Sequence, residues 1–189
     1  MSDPLEARDV TTLCAAVAAG AAPPYLMFWG HTPSSTSPVG PWILSQWFEA
    51  PFEVEGRRYR TAEHWMMAGK ARLFGDQEHH DAILDTDSPR RAKDLGRRVR
   101  GYDHETWVAR RYGLVVTGNV HKFSTHPELG AYLQGTAEQV LVEASPADLV
   151  WGIGLAQDHA DATDPARWRG TNLLGFALME ARARLLSPR

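Results

Sequence analysis

Apolar residues recur along most of this chain at the three- and four-residue spacing of α-helices, rather than at the two-residue spacing of strands. The clearest example is the segment Thr61 to Phe74, TAEHWMMAGKARLF. On a helical wheel, Met66 and Met67 share one side with two charged residues, Glu63 and Lys70. An ionised side chain is costly to bury unless it is paired or hydrogen-bonded, so this charged pair on an apolar side needs an explanation.

The same kind of pattern predicts the other elements. Two short strands within residues 50–60 are joined by a turn at Glu55 and Gly56, and Thr61 is the N-cap of the helix that follows. The stretch GHTPSSTSPVGP, Gly30 to Pro41, is predicted to be a loop. Further helices are predicted within 10–22, closed by Gly20 and Pro23, and over 76–84, 89–100, 104–116, 128–133 and 173–186, with another strand over 140–144. The chain is therefore predicted to be mainly α, an α+β fold with a small β-sheet.

Composition limits the class of protein. The chain has 189 residues, 43% hydrophobic and 23% charged, which suits one globular domain with its own core. A net charge of −3 argues neither for nor against nucleic acid as a partner. The single cysteine, Cys14, excludes an internal disulfide and favours a reducing compartment. The apolar run from Val10 to Ala22 is too short to cross a bilayer and follows acidic residues, unlike a secretory signal, so we expect a cytoplasmic protein without a membrane partner.

Glu63 and Lys70 are the first candidate site. They are two helical turns apart, roughly 10 Å along the axis, so a direct ion pair would be strained. Both side chains can instead converge on a ligand, with Met66 and Met67 as an adaptable floor. The structural interpretation is that Glu63 favours the helix N-terminus through the dipole while Lys70 extends outward into solvent.

The second candidate is the segment SPADLVWGIGL, Ser145 to Leu155, which directly follows the last predicted strand. Gly152 and Gly154 let a ligand approach main-chain N–H groups closely, and Trp151 offers a flat face to a base or sugar. Asp148 lies three residues before that tryptophan. A turn whose tryptophan fills the core explains the same residues.

Two further segments carry polar or basic residues near a helix. Gly170, Asn172 and Gly175 lie around the start of the last helix. Either a phosphate at the helix N-terminus or a helix cap at Asn172 explains them, although the spacing matches no P-loop or dinucleotide fingerprint. The run from Arg90 to Arg100 holds six basic residues and one acid, and is either a phosphate-contacting helix or a solvated face. The histidines form no metal-ligand spacing, and no metal or cofactor is expected.

Seven segments in order carry a resemblance to a known family. They are FWG (28–30), LSQWF (44–48), AEHWMMAGKA (62–71), GYDHETW (101–107), HKF (121–123), LVEASPADLVWGIGL (141–155) and WRGTNLLGFALMEAR (168–182). Together they resemble the NADAR superfamily, which includes the YbiA-like N-glycosidases, from about Tyr25 to Leu186. The resemblance implies one compact, mainly helical domain over residues 25–189 after an N-terminal extension, 1–24, with a short helix.

The resemblance also implies an activity and its residues. YbiA-like members cleave ribosylamino-pyrimidine phosphates of riboflavin synthesis, and other members remove ADP-ribose from guanine in nucleic acid. The family pattern places catalytic roles on Glu63, Lys70 and Asp148, with Trp107 and Trp151 also in the active site. Substrate-binding roles are further predicted for Phe28, Trp29, Gly30, Ser45, Gly152, Gly154 and Asn172.

Three departures from the family pattern put the substrate in question. Gln46 and Trp47 stand where the second motif usually has asparagine and phenylalanine, Thr171 replaces a frequent lysine, and His126 replaces a frequent asparagine. We therefore expect a metal-independent N-glycosidase acting on ADP-ribosyl guanine, with the riboflavin-intermediate hydrolase and a non-catalytic ADP-ribose or NAD-binding module as alternatives. Cleavage of an N-glycoside is favoured by a carboxylate near the sugar and a proton donor near the base. Lys70 can serve as that donor, or attack the anomeric carbon as a neutral amine.

Overall fold

The protein is described by a computed structural model that covers residues 3–34 and 37–187. Its residues group into two units, one formed by residues 1–45 with 128–189 and the other by the continuous segment 46–127. In the described residues the chain forms α-helices and two small sheets of two strands each. The mainly helical α+β prediction is confirmed.

The unit 46–127 begins with a β-hairpin and continues with four helices. Strands β2 (Phe52–Val54) and β3 (Arg57–Tyr59) pair antiparallel, with Phe52 opposite Tyr59. The two residues of the predicted turn, Glu55 and Gly56, both have positive φ angles, of 52° and 72°, as the tight hairpin turn requires. The helices are α2 (Ala62–Leu73), α3 (Gln77–Asp85), α4 (Pro89–Arg97) and α5 (His104–Thr125).

Each of these four helices begins after a residue of a type that commonly caps helices. The side chains of Thr61, Asp76, Ser88 and Asp103 accept hydrogen bonds from main-chain N–H groups in the first turns of α2, α3, α4 and α5. Such caps satisfy N–H groups that have no partner within the helix. The predicted starts of α2 and α4, after Thr61 and Ser88, are therefore confirmed.

Helix α2 is the centre of this unit and packs against α3, α4 and α5. Glycines allow the close approach of its neighbours. A Cβ at Gly96 of α4 would lie 2.1 Å from the sulfur of Met67, and one at Gly118 of α5 would lie 2.3 Å from the ring of Trp65. The same packing brings the main chain of α4 to the end of α2.

The unit formed by residues 1–45 and 128–189 is built on two parallel strands. Strand β1 (Tyr25–Phe28) pairs with β4 (Val140–Glu143), and α7 (Leu173–Leu186) packs against β4. Helices α1 (Val10–Ala18) and α6 (Pro127–Gly135) complete the helices of this part of the chain, with α6 beginning at the boundary residue Pro127. Short 3-10 helices span Pro4–Glu6, Pro41–Leu44 and Pro165–Arg167.

The structure differs from the predicted elements chiefly at one strand and at the ends of two helices, of which α4 ends at Arg97 rather than at the predicted Arg100. Strand β1 was not predicted, because four residues whose partner lies far along the chain give no local signal. Helix α5 continues to Thr125, well past the predicted end at Val116. Within the predicted loop Gly30 to Pro41, residues 35 and 36 lie outside the described residues.

The N-terminal segment packs against other elements of the unit formed by residues 1–45 and 128–189. Leu13 and Ala16 of α1 are buried, α1 packs against the 3-10 helix Pro165–Arg167, and Arg8 lies 3.6 Å from Glu180 of α7. The proposed boundary between residues 24 and 25 stays a prediction. Among the described helices, none combines the length and apolar character needed to cross a membrane.

Candidate functional site

Glu63 lies in the first turn of α2 and is only 2% exposed. Its main-chain N–H donates to the carbonyl oxygen of Gln46 at 2.9 Å, and the side-chain amide of Gln46 donates to Asn119 of α5 at 3.2 Å. The main chain of Gln46 therefore holds the start of α2, while its side-chain amide links the same segment to α5. The positive end of the helix dipole favours a negative charge at this position.

Lys70 lies near the other end of α2 and is partly buried. Its Nζ donates a hydrogen bond to the carbonyl oxygen of Gly96 in α4 at 2.8 Å. The same atom lies 4.3 Å from the ring centroid of Tyr102 and 5.5 Å from that of Trp107. Burial lowers the pKa of Lys70 below its usual value, because an apolar setting disfavours the charged form. Lys70 is thus held among aromatic rings and does not extend into bulk solvent.

His64, next to Glu63, fixes the first turn of α2 from the other side. Its Nε2 lies 3.0 Å from the carbonyl oxygen of Thr86, and its Nδ1 lies 2.8 Å from the hydroxyl of Thr61. A carbonyl can only accept, so Nε2 carries the proton, and the neutral ring accepts at Nδ1. Burial lowers the pKa of His64, which favours this neutral form.

The basic run of the sequence forms helix α4 and its C-terminal extension. Its apolar residues Ala92, Leu95 and Val99 form a narrow stripe, and all three are buried. The exposed positions carry Arg90, Arg91, Arg97, Arg98 and Arg100. Gly96, which receives the Lys70 hydrogen bond, directly precedes Arg97 and Arg98. The amine of Lys70 is therefore bonded to the same helix that displays the basic surface.

In the other unit, the segment after β4 forms a compact turn around Asp148. Its Oδ1 accepts hydrogen bonds from the N–H groups of Val150 at 2.9 Å and Trp151 at 2.7 Å. Asp148 is partly buried, and Trp151 is partly buried three residues later. One carboxylate oxygen of Asp148 therefore shapes the turn, and the catalytic role of Asp148 stays a prediction.

Asn172 is fully buried and uses its amide to bind strand β4. Its Oδ1 accepts from the N–H of Glu143 at 3.0 Å, and its Nδ2 donates to the carbonyl oxygen of Leu141 at 2.9 Å. Its backbone is left-handed, with φ of 50°, and its side chain makes no capping hydrogen bond to α7. Asn172 is thus the N-cap residue of α7, but its side chain does not make the predicted capping hydrogen bond and instead acts as a strut between α7 and the sheet.

The N-terminus of α7 is also closed to a phosphate at the positions where one was considered. The N–H groups of Leu173 and Leu174 donate to the carbonyl oxygens of Val150 and Trp151, at 3.2 and 3.1 Å. These main-chain groups have found partners in the loop that follows β4. The phosphate interpretation is therefore wrong for these two N–H groups.

Gly152 and Gly154 lie in the same loop, where packing explains the absence of a side chain. A Cβ at Gly152 would lie 2.8 Å from the carbonyl oxygen of Glu143, and Gly154 has a φ of 69°. Gly170 approaches the carbonyl oxygen of Gly152 so closely that a Cβ there would lie 2.3 Å away. These glycines let the loop fold tightly against the start of α7. Their predicted contact with a ligand stays a prediction.

The remaining predicted binding residues lie at the end of β1 and beyond it. Phe28 is buried, while Trp29 is 65% exposed and is followed by Gly30, with φ of 78°. Parallel strands place their carboxyl ends at one edge, so Trp29 follows β1 at the edge where the Asp148 loop follows β4. Ser45 ends the 3-10 helix Pro41–Leu44 and its N–H donates to the carbonyl oxygen of Trp42.

The structure adds residues that the sequence did not single out. Gly96 supplies the carbonyl that holds Lys70, and Tyr102 supplies the nearest aromatic ring. Tyr102 belongs to the GYDHETW motif, but nothing in the motif places its ring beside α2. Within 3–34 and 37–187, no group of three or more His, Cys, Asp or Glu is arranged to hold a metal ion.

Comparison with known proteins gives one consistent result. Residues 27–186 match the sequence pattern of the NADAR domain family. An N-glycosidase of Acanthamoeba polyphaga mimivirus is 39% identical over 163 residues, which are 84% of this chain and 94% of that protein. A chloroplastic riboflavin biosynthesis protein of Zea mays, PYRR, is 32% identical over 133 residues, 67% of this chain and 20% of that protein. The NMR structure of the Escherichia coli protein YbiA superposes with a TM-score of 0.64 at 27% identity, covering 87% of this chain and 86% of that one.

Proposed function

Since the chain belongs to the NADAR domain family, we propose that it hydrolyses the N-glycosidic bond between ADP-ribose and guanine in nucleic acid or nucleotides. Relatives named N-glycosidases support the more general activity, which is hydrolysis of N-glycosyl compounds. In the overall reaction, the bond between the anomeric carbon and the base nitrogen breaks. The hydroxyl of water joins the carbon, and its proton joins the base. Neither a metal nor a cofactor takes part.

The observation that carries the proposal is the pair of ionisable groups on α2. Glu63 is buried at the start of the helix, and the Lys70 amine is held among aromatic rings near its end. Cleavage builds positive charge on the sugar and negative charge on the leaving base. A carboxylate stabilises the first, and a protonated amine supplies a proton to the second. A water-poor setting strengthens both interactions.

The setting of Lys70 also supports the nucleophilic route. Desolvation lowers its pKa and so raises the fraction of neutral amine at a given pH. In this route the Nζ lone pair attacks the anomeric carbon, the bond to the base breaks, and one of the two Nζ protons passes to the departing base. The second Nζ proton then passes to the ring oxygen as the sugar ring opens, which gives an imine. Water hydrolyses that imine, which restores the amine and releases the sugar.

The surface of α4 supports a nucleic-acid substrate. Arg97 and Arg98 are exposed directly after Gly96, the residue that receives the Lys70 hydrogen bond. Arg90 and Arg91 are exposed at the start of the same helix. Guanidinium groups bind phosphates well, and a polymer offers phosphates on both sides of the modified base. A mononucleotide offers no such flanking phosphates.

A second candidate function is hydrolysis of ribosylamino-pyrimidine phosphates. The similarity to a plant protein named for riboflavin biosynthesis favours it. In that reaction the same two groups on α2 act on a smaller substrate, and the basic surface of α4 is not used. The two candidates therefore make different demands on α4.

A substrate panel tests the proposal. The purified chain is incubated with ADP-ribosylated guanine in an oligonucleotide, ADP-ribosylated guanosine nucleotide and ribosylamino-pyrimidine phosphate, and products are separated by chromatography. We expect free ADP-ribose and unmodified guanine, fastest from the oligonucleotide. Release of ribose phosphate alone would establish the second candidate. Protection from heat unfolding by ADP-ribose without any product would show a binding module.

Borohydride added during turnover tests the role of Lys70. We expect reductive trapping of a sugar adduct on the Lys70 peptide, with none on that peptide in a Lys70→Arg variant. An unmodified mass during active turnover would exclude the imine and leave Lys70 as the proton donor.

A further inference from the structure

Tyr102 is an exposed aromatic residue that is nevertheless held in place. Its side chain is 44% exposed, yet its ring packs edge-on against Phe74, with ring centroids 5.5 Å apart. Its hydroxyl lies 3.1 Å from Nδ1 of His104. These two contacts restrict the rotation of the ring.

The turn that carries Tyr102 is anchored by Asp76 and Arg100. The main-chain N–H of Arg100 donates to Asp76 Oδ2 at 2.8 Å, and its guanidinium donates to Asp76 Oδ1 at 2.7 Å. Asp76 also caps α3 through the N–H of His79. The hydrogen bonds from Arg100 hold the pKa of Asp76 well below its usual range. Gly101 follows with φ of 70°, and a Cβ there would lie 3.3 Å from the carbonyl oxygen of Phe74.

This anchored ring lies over the amine of Lys70. Nζ is 4.3 Å from the Tyr102 ring centroid and 2.8 Å from the carbonyl oxygen of Gly96. The carbonyl oxygen and the negative face of the ring both attract N–H groups. Nζ is tetrahedral, and one of its four positions is the bond to Cε. With N–H groups directed to the carbonyl and to the ring, one position is left. It holds the third proton of an ammonium or the lone pair of a neutral amine.

We propose that Tyr102 is a positioning residue, which together with the Gly96 carbonyl turns the Lys70 amine so that its remaining proton or lone pair faces the substrate. The inference rests on the proposed function of Lys70 and holds for either of its roles. Without the ring, Nζ rotates about the Cδ–Cε bond, and the reactive orientation is occupied for less of the time. Loss of such alignment lowers the rate of the chemical step.

Steady-state kinetics on two variants tests this positioning. With the ADP-ribosylated guanine oligonucleotide, we expect Tyr102→Leu to lower kcat by about 10- to 100-fold and to change KM by less than about threefold. Tyr102→Phe keeps the ring and is expected to retain most of kcat. A raised KM with kcat intact in the leucine variant would overturn the proposal, since it would make Tyr102 a stacking surface for the substrate.

A chemical measurement tests the same contact without substrate. The chain has three lysines, Lys70, Lys93 and Lys122, so trace acetylation by acetic anhydride is readily followed by mass spectrometry. Lys93 is partly buried on α4 and serves as the internal reference, while Lys122 is fully buried. We expect the ratio of Lys70 to Lys93 labelling to rise by about threefold or more in Tyr102→Leu and to stay near the wild-type ratio in Tyr102→Phe. An unchanged ratio in the leucine variant would overturn the proposal.

A second variant keeps the test independent of folding defects at Tyr102. The Arg100 side chain is 63% exposed, and Arg100→Gln loosens the turn without touching Lys70. We expect the labelling ratio to move in the same direction by a smaller factor, and no movement would count against the anchor. Labelling uses no substrate, so a chain with a shifted ratio but no activity would refute the proposed function and leave the contact between Tyr102 and Lys70 standing.

Discussion

The surroundings of Lys70 and of Asn172 show two different uses of polar groups in an apolar setting. The Lys70 amine has one hydrogen bond to a carbonyl and two aromatic rings nearby. The Asn172 amide binds main-chain groups of β4 through both its oxygen and its nitrogen. The first group keeps a proton or lone pair for chemistry, whereas the second completes a sheet edge. The two groups therefore differ in how much of their hydrogen-bonding capacity the protein itself uses.

Removal of the Lys70 amine should give the largest effect on activity, because it eliminates the group that is proposed to react. We expect Lys70→Met to lower kcat/KM by roughly 100- to 10,000-fold, the range typical of a lost proton donor, and at least as much if the amine is the nucleophile. The unfolding free energy should change little, since the amine contributes one hydrogen bond at a partly exposed position. Kinetics and urea unfolding on the same preparation measure both, with Lys93→Met as the matched control. Full activity in Lys70→Met would remove the lysine from the mechanism.

Truncation of Asn172 tests the structural side. Asn172→Ala leaves the N–H of Glu143 and the carbonyl of Leu141 without their Asn172 partners, at a cost of about 2 to 4 kcal/mol in unfolding free energy. Asn172→Gly should lose about 1 kcal/mol less, because glycine accepts the positive φ. Urea denaturation measures both variants. Thr171→Ala, an exposed neighbour, should stay within about 1 kcal/mol of wild type. Equal stability of all three would contradict the strut.

Charge reversal on α4 sharpens the comparison between chemistry and substrate capture. We expect Arg97→Glu with Arg98→Glu to raise KM for the oligonucleotide substrate by about tenfold or more, and to make its logarithmic salt dependence shallower by about one to two. KM for the mononucleotide should change by less than about twofold, because it has no flanking phosphates.

The matched control for this charge reversal is Arg90→Glu with Arg91→Glu, at the far end of the same helix. We expect a smaller effect on KM for the oligonucleotide, measured over the same salt series. Equal changes in KM for the oligonucleotide and the mononucleotide would show that α4 is a solvated face that does not bind nucleic acid.

His64 gives the smallest effect and a pH test of the start of α2. Its pKa is lowered in the folded chain, so the unfolded chain takes up a proton first as the pH falls below about 6.5. The stabilising contribution is therefore complete above that pH and is lost below it, until the folded pKa is reached. The slope is at most about 1.4 kcal/mol per pH unit.

A His64→Gln variant isolates this contribution. Its amide can still donate to the carbonyl of Thr86 but does not titrate. We expect the wild type to lose unfolding free energy faster than the variant between pH 6.5 and 5, as measured by urea denaturation at each pH. Parallel curves for the two proteins would show that His64 binds protons equally in the folded and the unfolded chain.

Much of the local structure could be predicted from the sequence because its signals are local. Thr61 and Ser88 mark helix starts, and Glu55 with Gly56 marks the hairpin turn. Helix α5 continues past its predicted end and includes Gly118, although glycine has a low helix propensity. That glycine gives room to the ring of Trp65, so its tertiary role outweighs its low helix propensity.

The candidate site could be predicted only in part. The charged pair of α2 was visible as a violation of helical amphipathicity, and family resemblance pointed to the same residues. The contact of Lys70 with the Gly96 carbonyl and the Tyr102 ring could not be predicted, since it depends on how α4 and α5 pack against α2. The hydrogen bonds of the Asn172 side chain could not be predicted for the same reason, because its partners lie on a strand some thirty residues earlier.

The parallel pairing of β1 with β4 has a consequence for biosynthesis. Tyr25 pairs with Val140, so the first strand leaves the ribosome long before its partner has been made. The segment 46–127 is continuous and lies wholly between them, and helices that contact near neighbours in sequence form quickly. We therefore expect the acid and amine of α2 to be in a folded helical unit while β1 still awaits its partner, and the apolar β1 to be the part most exposed to misassembly during translation.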